Sequence, residues 1–164
     1  MIDTTPGELW RPTVALAALE KAAPYDLAQP DGVVGHYLYP VYLRGLAYIA
    51  LGNGHAAANQ FQKILEHPGV TVNRPIGVLA RLGLARAYAL EAGLSASDVS
   101  QRPKREDSHT FSSNADREAA LGKARRAYEE FLSLWESSDH SIPIFRQARA
   151  EFQKTDRGAE DKVE

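Results

Sequence analysis

Between residues 37 and 51 the chain carries a single charged side chain, Arg44, and its apolar positions run round the whole segment rather than along one stripe. A helix of that kind must be covered on more than one side. No run of four or more residues shows the clean apolar–polar alternation of a half-buried strand. Start and stop signals divide the chain into six helices. The first covers about 11–23, with Pro12 in its first turn and Pro24 as its stop. The second covers 37–51 and closes at Gly52; the third covers 54–66, capped by Asn53 and ended at His67-Pro68-Gly69. The fourth covers 75–92 and closes at Gly93, the fifth covers 115–136, and the sixth covers 143–154. Residues 25–35 read as irregular, and 94–114 as a polar, Ser-rich insertion that is loosely packed or disordered. Residues 155–164 read as a charged, disordered tail.

Some of these helices repeat one another. Ala57-x3-Phe61-x2-Ile64-Leu65 in the third lies over Ala124-x3-Tyr128-x2-Phe131-Leu132 in the fifth, and the first offers a degenerate copy, Ala15-x3-Leu19-x2-Ala22. The second and fourth also match: residues 43–48 lie over 83–88, with a small residue (Gly45, Ala85) three positions before a tyrosine (Tyr48, Tyr88). A small residue there lets two helices approach closely, and the ring fills the space beside it. Gly45, Tyr48, Ala57, Phe61, Ala85, Tyr88, Ala124 and Tyr128 are therefore the expected repeat-packing positions.

Composition strengthens the helical reading. Ala and Leu number 42 against 21 for Val, Ile and Thr together, so helix formers outweigh β-branched residues. Lys plus Arg number 19 and Asp plus Glu 21; outside the last ten residues, which hold four acids and two bases, the balance is 17 against 17. A neutral body argues against nucleic acid or an anionic membrane as the main partner. The absence of cysteine excludes disulfides, cysteine zinc sites and thiol nucleophiles. The first ten residues have neither a basic start nor an apolar run of the secretory type, so a cytoplasmic location is expected.

The repeated units resemble the tetratricopeptide repeat, a helix–turn–helix motif of 34 residues whose signature includes Leu-Gly, then Tyr, then Ala-x3-Phe, then Pro. One unit reads Val41-x2-Arg44-Gly45-x2-Tyr48 and, nine residues after the tyrosine, Ala57-x3-Phe61. It departs from the family pattern at Val41 and Arg44, and Pro68 comes early. The next reads Arg81-x2-Leu84-Ala85-x2-Tyr88, but its Ala-x3-aromatic arrives only at Ala124 and Tyr128, 36 residues after Tyr88 where nine is usual. The insertion thus amounts to about 27 residues, and the first helix lacks a mate. The segment around 39–70 also looks like tetratricopeptide segments that follow a kinase or regulatory domain in large bacterial signalling proteins, although no kinase motif is present. The resemblance implies an all-α fold, an α-α superhelix of antiparallel pairs with about six helices, forming one domain over 1–154. An Ala-rich bundle unrelated to that family is the competing reading.

Enzyme chemistry finds little footing. His36, His55, His67, His109 and His140 make no ligand spacing, and neither a GxSxG elbow, a GxGxxG loop nor a P-loop occurs. Glu106, Asp107, Asp116 and Glu118 cluster at the end of the insertion and the start of the fifth helix, a poor setting for a rigid acid–base pair. Arg102, Lys104 and Arg105 are answered at once by Glu106 and Asp107. Arg125 and Arg126, with Glu129 and Glu130 at i+4, read as a solvated face. No catalytic residue, metal or cofactor is expected.

In tetratricopeptide arrays the first helix of each pair lines a concave, peptide-binding face. By register this puts Tyr39, Tyr42, Leu46 and Ile49, and then Leu79, Leu82, Arg86 and Leu90, on that face, with Arg44 and Arg86 as polar handles for a carboxylate. Each arginine has an internal salt bridge as its competing role. The tyrosine-rich side of the second helix is covered by the chain itself or by a partner. The expected function is a protein–protein interaction or scaffold module for a protein or peptide. The alternatives are a helical homodimerisation module, or a small-ligand carrier using the tyrosine-lined cavity. The lone first helix could also pack on an upstream domain.

Overall fold

A computed structural model describes residues 11–27, 38–71, 75–94, 113–135 and 141–160, and these are all-α: no strand occurs among them. The helices are α1 (Pro12–Glu20), α2 (Tyr39–Ala50), α3 (Gly54–Leu65), α4 (Pro68–Thr71), α5 (Pro75–Glu91), α6 (Asn114–Ser133) and α7 (Pro143–Glu160), with one 3-10 turn at Ala23–Tyr25. Each packs on its neighbour in chain order: α1 on α2, α2 on α3, α3 on α5, α5 on α6 and α6 on α7, while α2 also reaches α5.

The boundaries follow from local chemistry. Asn53 caps α3, its Oδ1 accepting from the Ala56 N–H at 3.0 Å. Ser113 does the same for α6, accepting from the Asp116 N–H at 3.2 Å while its own hydroxyl donates to Asp116 Oδ2 at 2.9 Å. Gly52 and Gly93, both at φ 78°, turn the chain out of α2 and α5 in the left-handed conformation glycine adopts freely.

Several features differ from the sequence reading: α1 stops at Glu20 and is followed by a separate 3-10 turn rather than running to 23, and α6 ends at Ser133 rather than 136. Pro68, expected only as a stop, opens the single turn α4, because a proline suits a first helical turn as well as it ends a preceding helix. The last helix does not end at Lys154 but runs to Glu160, so the tail expected from residue 155 is helical through 160. The cause is docking: Thr155 is buried, its hydroxyl donates to Phe152 O at 2.6 Å, and its carbonyl accepts from Arg125 Nη2 at 3.0 Å. Arg125 Nε also lies 3.3 Å from Asp156 Oδ1, so this arginine ties α6 to α7 rather than facing solvent beside Glu129. The insertion expected over 94–114 falls mainly on residues 95–112, outside the described residues, as do residues 161–164.

The core has two main parts. The first joins α2, α3 and α5 through Val41, Ala57, Phe61, Ile64, Ile76, Ala80 and Ala87. Phe61 is fully buried between two glycines: a Cβ on Gly45 of α2 would lie 2.6 Å from its Cζ, and one on Gly83 of α5 would lie 2.6 Å from its Cε1. Gly54 likewise brings the start of α3 against α5, where a Cβ would meet Ala87 O at 2.6 Å. The second part joins α5, α6 and α7 through Leu82, Ala85, Ala124, Ala127, Tyr128, Phe131 and Ala148.

Candidate functional site

Two stripes of half-buried side chains, one on α2 and one on α5, make up the candidate site. On α2, Val41, Gly45 and Ala47 are buried in the core, while Tyr39, Tyr42, Leu46 and Ile49 remain half-buried at its margin. Tyr42 packs edge-on against Phe61, with ring centroids 5.7 Å apart. On α5, Leu79, Arg86 and Leu90 are half-buried. The stripes adjoin: α2 touches α5, and Arg86 lies in electrostatic range of the Tyr42 hydroxyl. Burial raises the Tyr42 pKa above 10.0, and Arg86 opposes that rise by favouring the phenolate.

Two of the residues expected on this face are not on it. Leu82 is only 1% exposed and belongs to the α5–α6–α7 core. Arg44 is 4% exposed and spent on internal partners. Its Nη2 donates to Asp26 Oδ2, its Nη1 to Leu19 O at 3.0 Å, and its Nε to Gln60 Oε1 at 2.9 Å. Lys63 Nζ donates to the same Asp26 oxygen at 2.9 Å. Arg44 is therefore a clamp joining the end of α1 to α2 and α3, and no groove handle. A fork of five N–H donors is what that geometry needs.

Arg86 does grip a carboxylate in the two-toothed manner expected of it, and the carboxylate is the chain's own. Nε donates to Glu151 Oε2 at 2.9 Å and Nη2 to Oε1 at 3.1 Å. Tyr128 Oη donates to Glu151 Oε2 at 3.1 Å, so three helices, α5, α6 and α7, meet at one buried carboxylate. Burial, then the Glu151 charge, push the Tyr128 pKa strongly upward, only partly offset by Arg86. Tyr88 is also raised, by burial and by Glu91, and Lys123 Nζ stands 5.6 Å from its ring centroid.

Of the positions expected to pack the repeats, Gly45, Ala57, Phe61, Ala85, Ala124 and Tyr128 are buried, whereas Tyr48 and Tyr88 are half-buried. His55 is exposed, 3.5 Å from Glu91, and His67 Nδ1 bonds Lys63 O at 2.8 Å. His36, His109, His140, Glu106, Asp107, Arg102, Lys104 and Arg105 lie outside the described residues. Among the described residues no three His, Cys, Asp or Glu gather as metal ligands would, and no helix is long and apolar enough to cross a membrane.

Glu151 and Asp26 are buried acids that the sequence motifs above do not single out. Glu151 carried a signal: it stands in the inward stripe of α7 with the buried Phe145, Ala148 and Thr155 and the half-buried Phe152, and a charge on an apolar face needs a partner. Asp26 carried none, because it lies just past the 3-10 turn, outside any periodic segment. Comparison with family models, with curated proteins and with solved structures finds no match to this chain.

Proposed function

We propose that this chain is a non-enzymatic helix-hairpin module of the tetratricopeptide kind that holds a protein or peptide partner along α2 and α5. One observation carries the reading. α2 buries one side in the core and still presents Tyr39, Tyr42, Leu46 and Ile49 half-buried, beside the α5 stripe of Leu79, Arg86 and Leu90. Adjoining half-buried aliphatic and tyrosine side chains on two helices are the kind of surface found at contact sites. The supporting geometry is rigid, since both helices share the Phe61 core. Leu46→Ala is expected to abolish capture of a partner by the immobilised chain while helicity and melting temperature stay close to those of the parent, and Tyr42→Ala to abolish it with a lower melting temperature but retained helicity, because its ring also packs on Phe61. Retained capture by both variants overturns the reading.

Self-association is a second reading, favoured by α1. That helix carries one charge, Glu20, and faces α2 with Pro12 and Leu16, leaving Val14 61% exposed. Tyr25 and Leu27, just beyond it, are exposed too. A helix apolar all round with one side bare suits a copy of itself. Concentration-dependent mass in light scattering, lost in Val14→Glu, is its signature.

A further inference from the structure

The charges on α2 and α5 indicate what kind of partner their shared face takes. α2 has one charged residue, Arg44, which Asp26 and Gln60 consume inside the fold. α5 has three. Arg81 turns back along its own helix and donates to Gly77 O at 3.2 Å, and Glu91 stands 3.5 Å from His55. Arg86, the charge within the stripe itself, is held in two bonds by Glu151, which is buried. What the stripe presents is therefore aliphatic side chains, the Tyr39 and Tyr42 rings, and a guanidinium whose charge is already neutralised.

We propose that the α2–α5 face receives an uncharged peptide segment, rich in aliphatic and aromatic side chains and bearing amides rather than acids as its polar groups. The inference rests on the interaction reading above. An acidic side chain brought to Arg86 would meet the Glu151 carboxylate within the same cluster and would have to compete with a bidentate, partly desolvated pair. A basic one would be repelled by the Arg86 guanidinium, and the carboxylate that α5 does carry, Glu91, stands at the end of that helix against Gly54 and His55 of α3 rather than in the stripe. An apolar segment avoids both costs and covers the half-buried rings. Glu151 thereby acts at a distance as a specificity residue: it removes the attraction for acids that Arg86 alone would supply.

The test is selection from a random displayed peptide library on the full chain, repeated on Tyr42→Ala and on Glu151→Gln. The parent is expected to enrich uncharged sequences with Leu, Ile, Phe or Tyr and to lose them in Tyr42→Ala. Glu151→Gln is expected to shift enrichment toward Asp and Glu, with acidic peptides gaining about tenfold in affinity as Arg86 is released. Enrichment of acidic or basic peptides on the parent, lost in Tyr42→Ala, overturns this inference and leaves the interaction reading standing. So does an unchanged selection on Glu151→Gln. No enrichment on the parent, or enrichment indifferent to Tyr42→Ala, overturns both. If Glu151→Gln does not fold, the parent's salt response decides. Affinity for its selected peptides constant within about twofold from about 0.05 to 0.5 M salt supports the inference, and a tenfold fall overturns it.

Discussion

Phe61 presses its ring against the α-carbons of two glycines on different helices, and the two contacts are equally tight. An added methyl on Gly45 or on Gly83 would lie 2.6 Å from the ring, and a fully buried ring has nowhere to retreat. Gly45→Ala and Gly83→Ala are therefore expected to destabilise by about 1–3 kcal/mol through overpacking, despite the better helix propensity of alanine. Gly122, on α6 with nothing near its Cβ position, is the control. There the same change should stabilise by about 0.5–1 kcal/mol. Denaturant titration of the three variants checks the set, and a stabilised Gly83→Ala would show that the ring is not confined. Gly45 was legible in the sequence as the small residue three positions before Tyr48. Gly83 was not, because the repeat register pairs it with Leu43, which is exposed. Its role comes from α5 lying across Phe61, a contact between elements that no single-helix pattern contains.

Helix limits were legible where a side chain or a glycine encodes them locally, as Asn53, Gly52 and Gly93 do. They were illegible where a neighbouring element decides, and α7 illustrates this: its charged end reads as a tail, yet Arg125 from α6 draws residues 155 and 156 into the packed helix. Tertiary contact here outweighs composition. The attachment of α1 belongs to the same class. This helix packs chiefly on α2, and its end is fastened by Arg44 through Leu19 O and Asp26. Arg44→Ala would leave the buried Asp26 carboxylate with Lys63 as its partner among the described residues, and breaking a buried pair from one side costs about 3–5 kcal/mol. Exchange of the α1 amides should rise far more than exchange in α6, because α1 loses its fastening while the Phe131 core is untouched. Equal acceleration in both helices would mean that the clamp supports the whole fold rather than one element.

At the scale of the molecule, the tyrosine protons couple stability to alkaline pH. Tyr42 sits where α2, α3 and α5 meet and Tyr128 where α5, α6 and α7 meet, so between them they sample both parts of the core. Both have pKa values raised above 10.0, Tyr42 by burial and Tyr128 by burial and then Glu151. In the unfolded chain each would lose its proton near pH 10; in the fold each keeps it to a higher pH. Above that point the folded state binds more protons than the unfolded one, so stability falls as pH rises. The contribution is complete below about pH 10 and declines above it by about 1.4 kcal/mol per pH unit for each tyrosine still protonated. Tyr128→Phe separates the two. Near neutrality it loses the hydroxyl bond to Glu151, about 1.5–3 kcal/mol for a bond to a charged acceptor. In alkali it should follow a shallower decline, because one of the three retained protons, those of Tyr42, Tyr88 and Tyr128, is gone. Urea midpoints taken at steps from pH 8 to about pH 11, with tyrosinate absorbance followed in parallel, measure both slopes. Parallel declines for parent and variant would show that the Tyr128 proton leaves as readily in the fold as in the open chain, and that the buried junction of α5, α6 and α7 is wetter than its packing indicates.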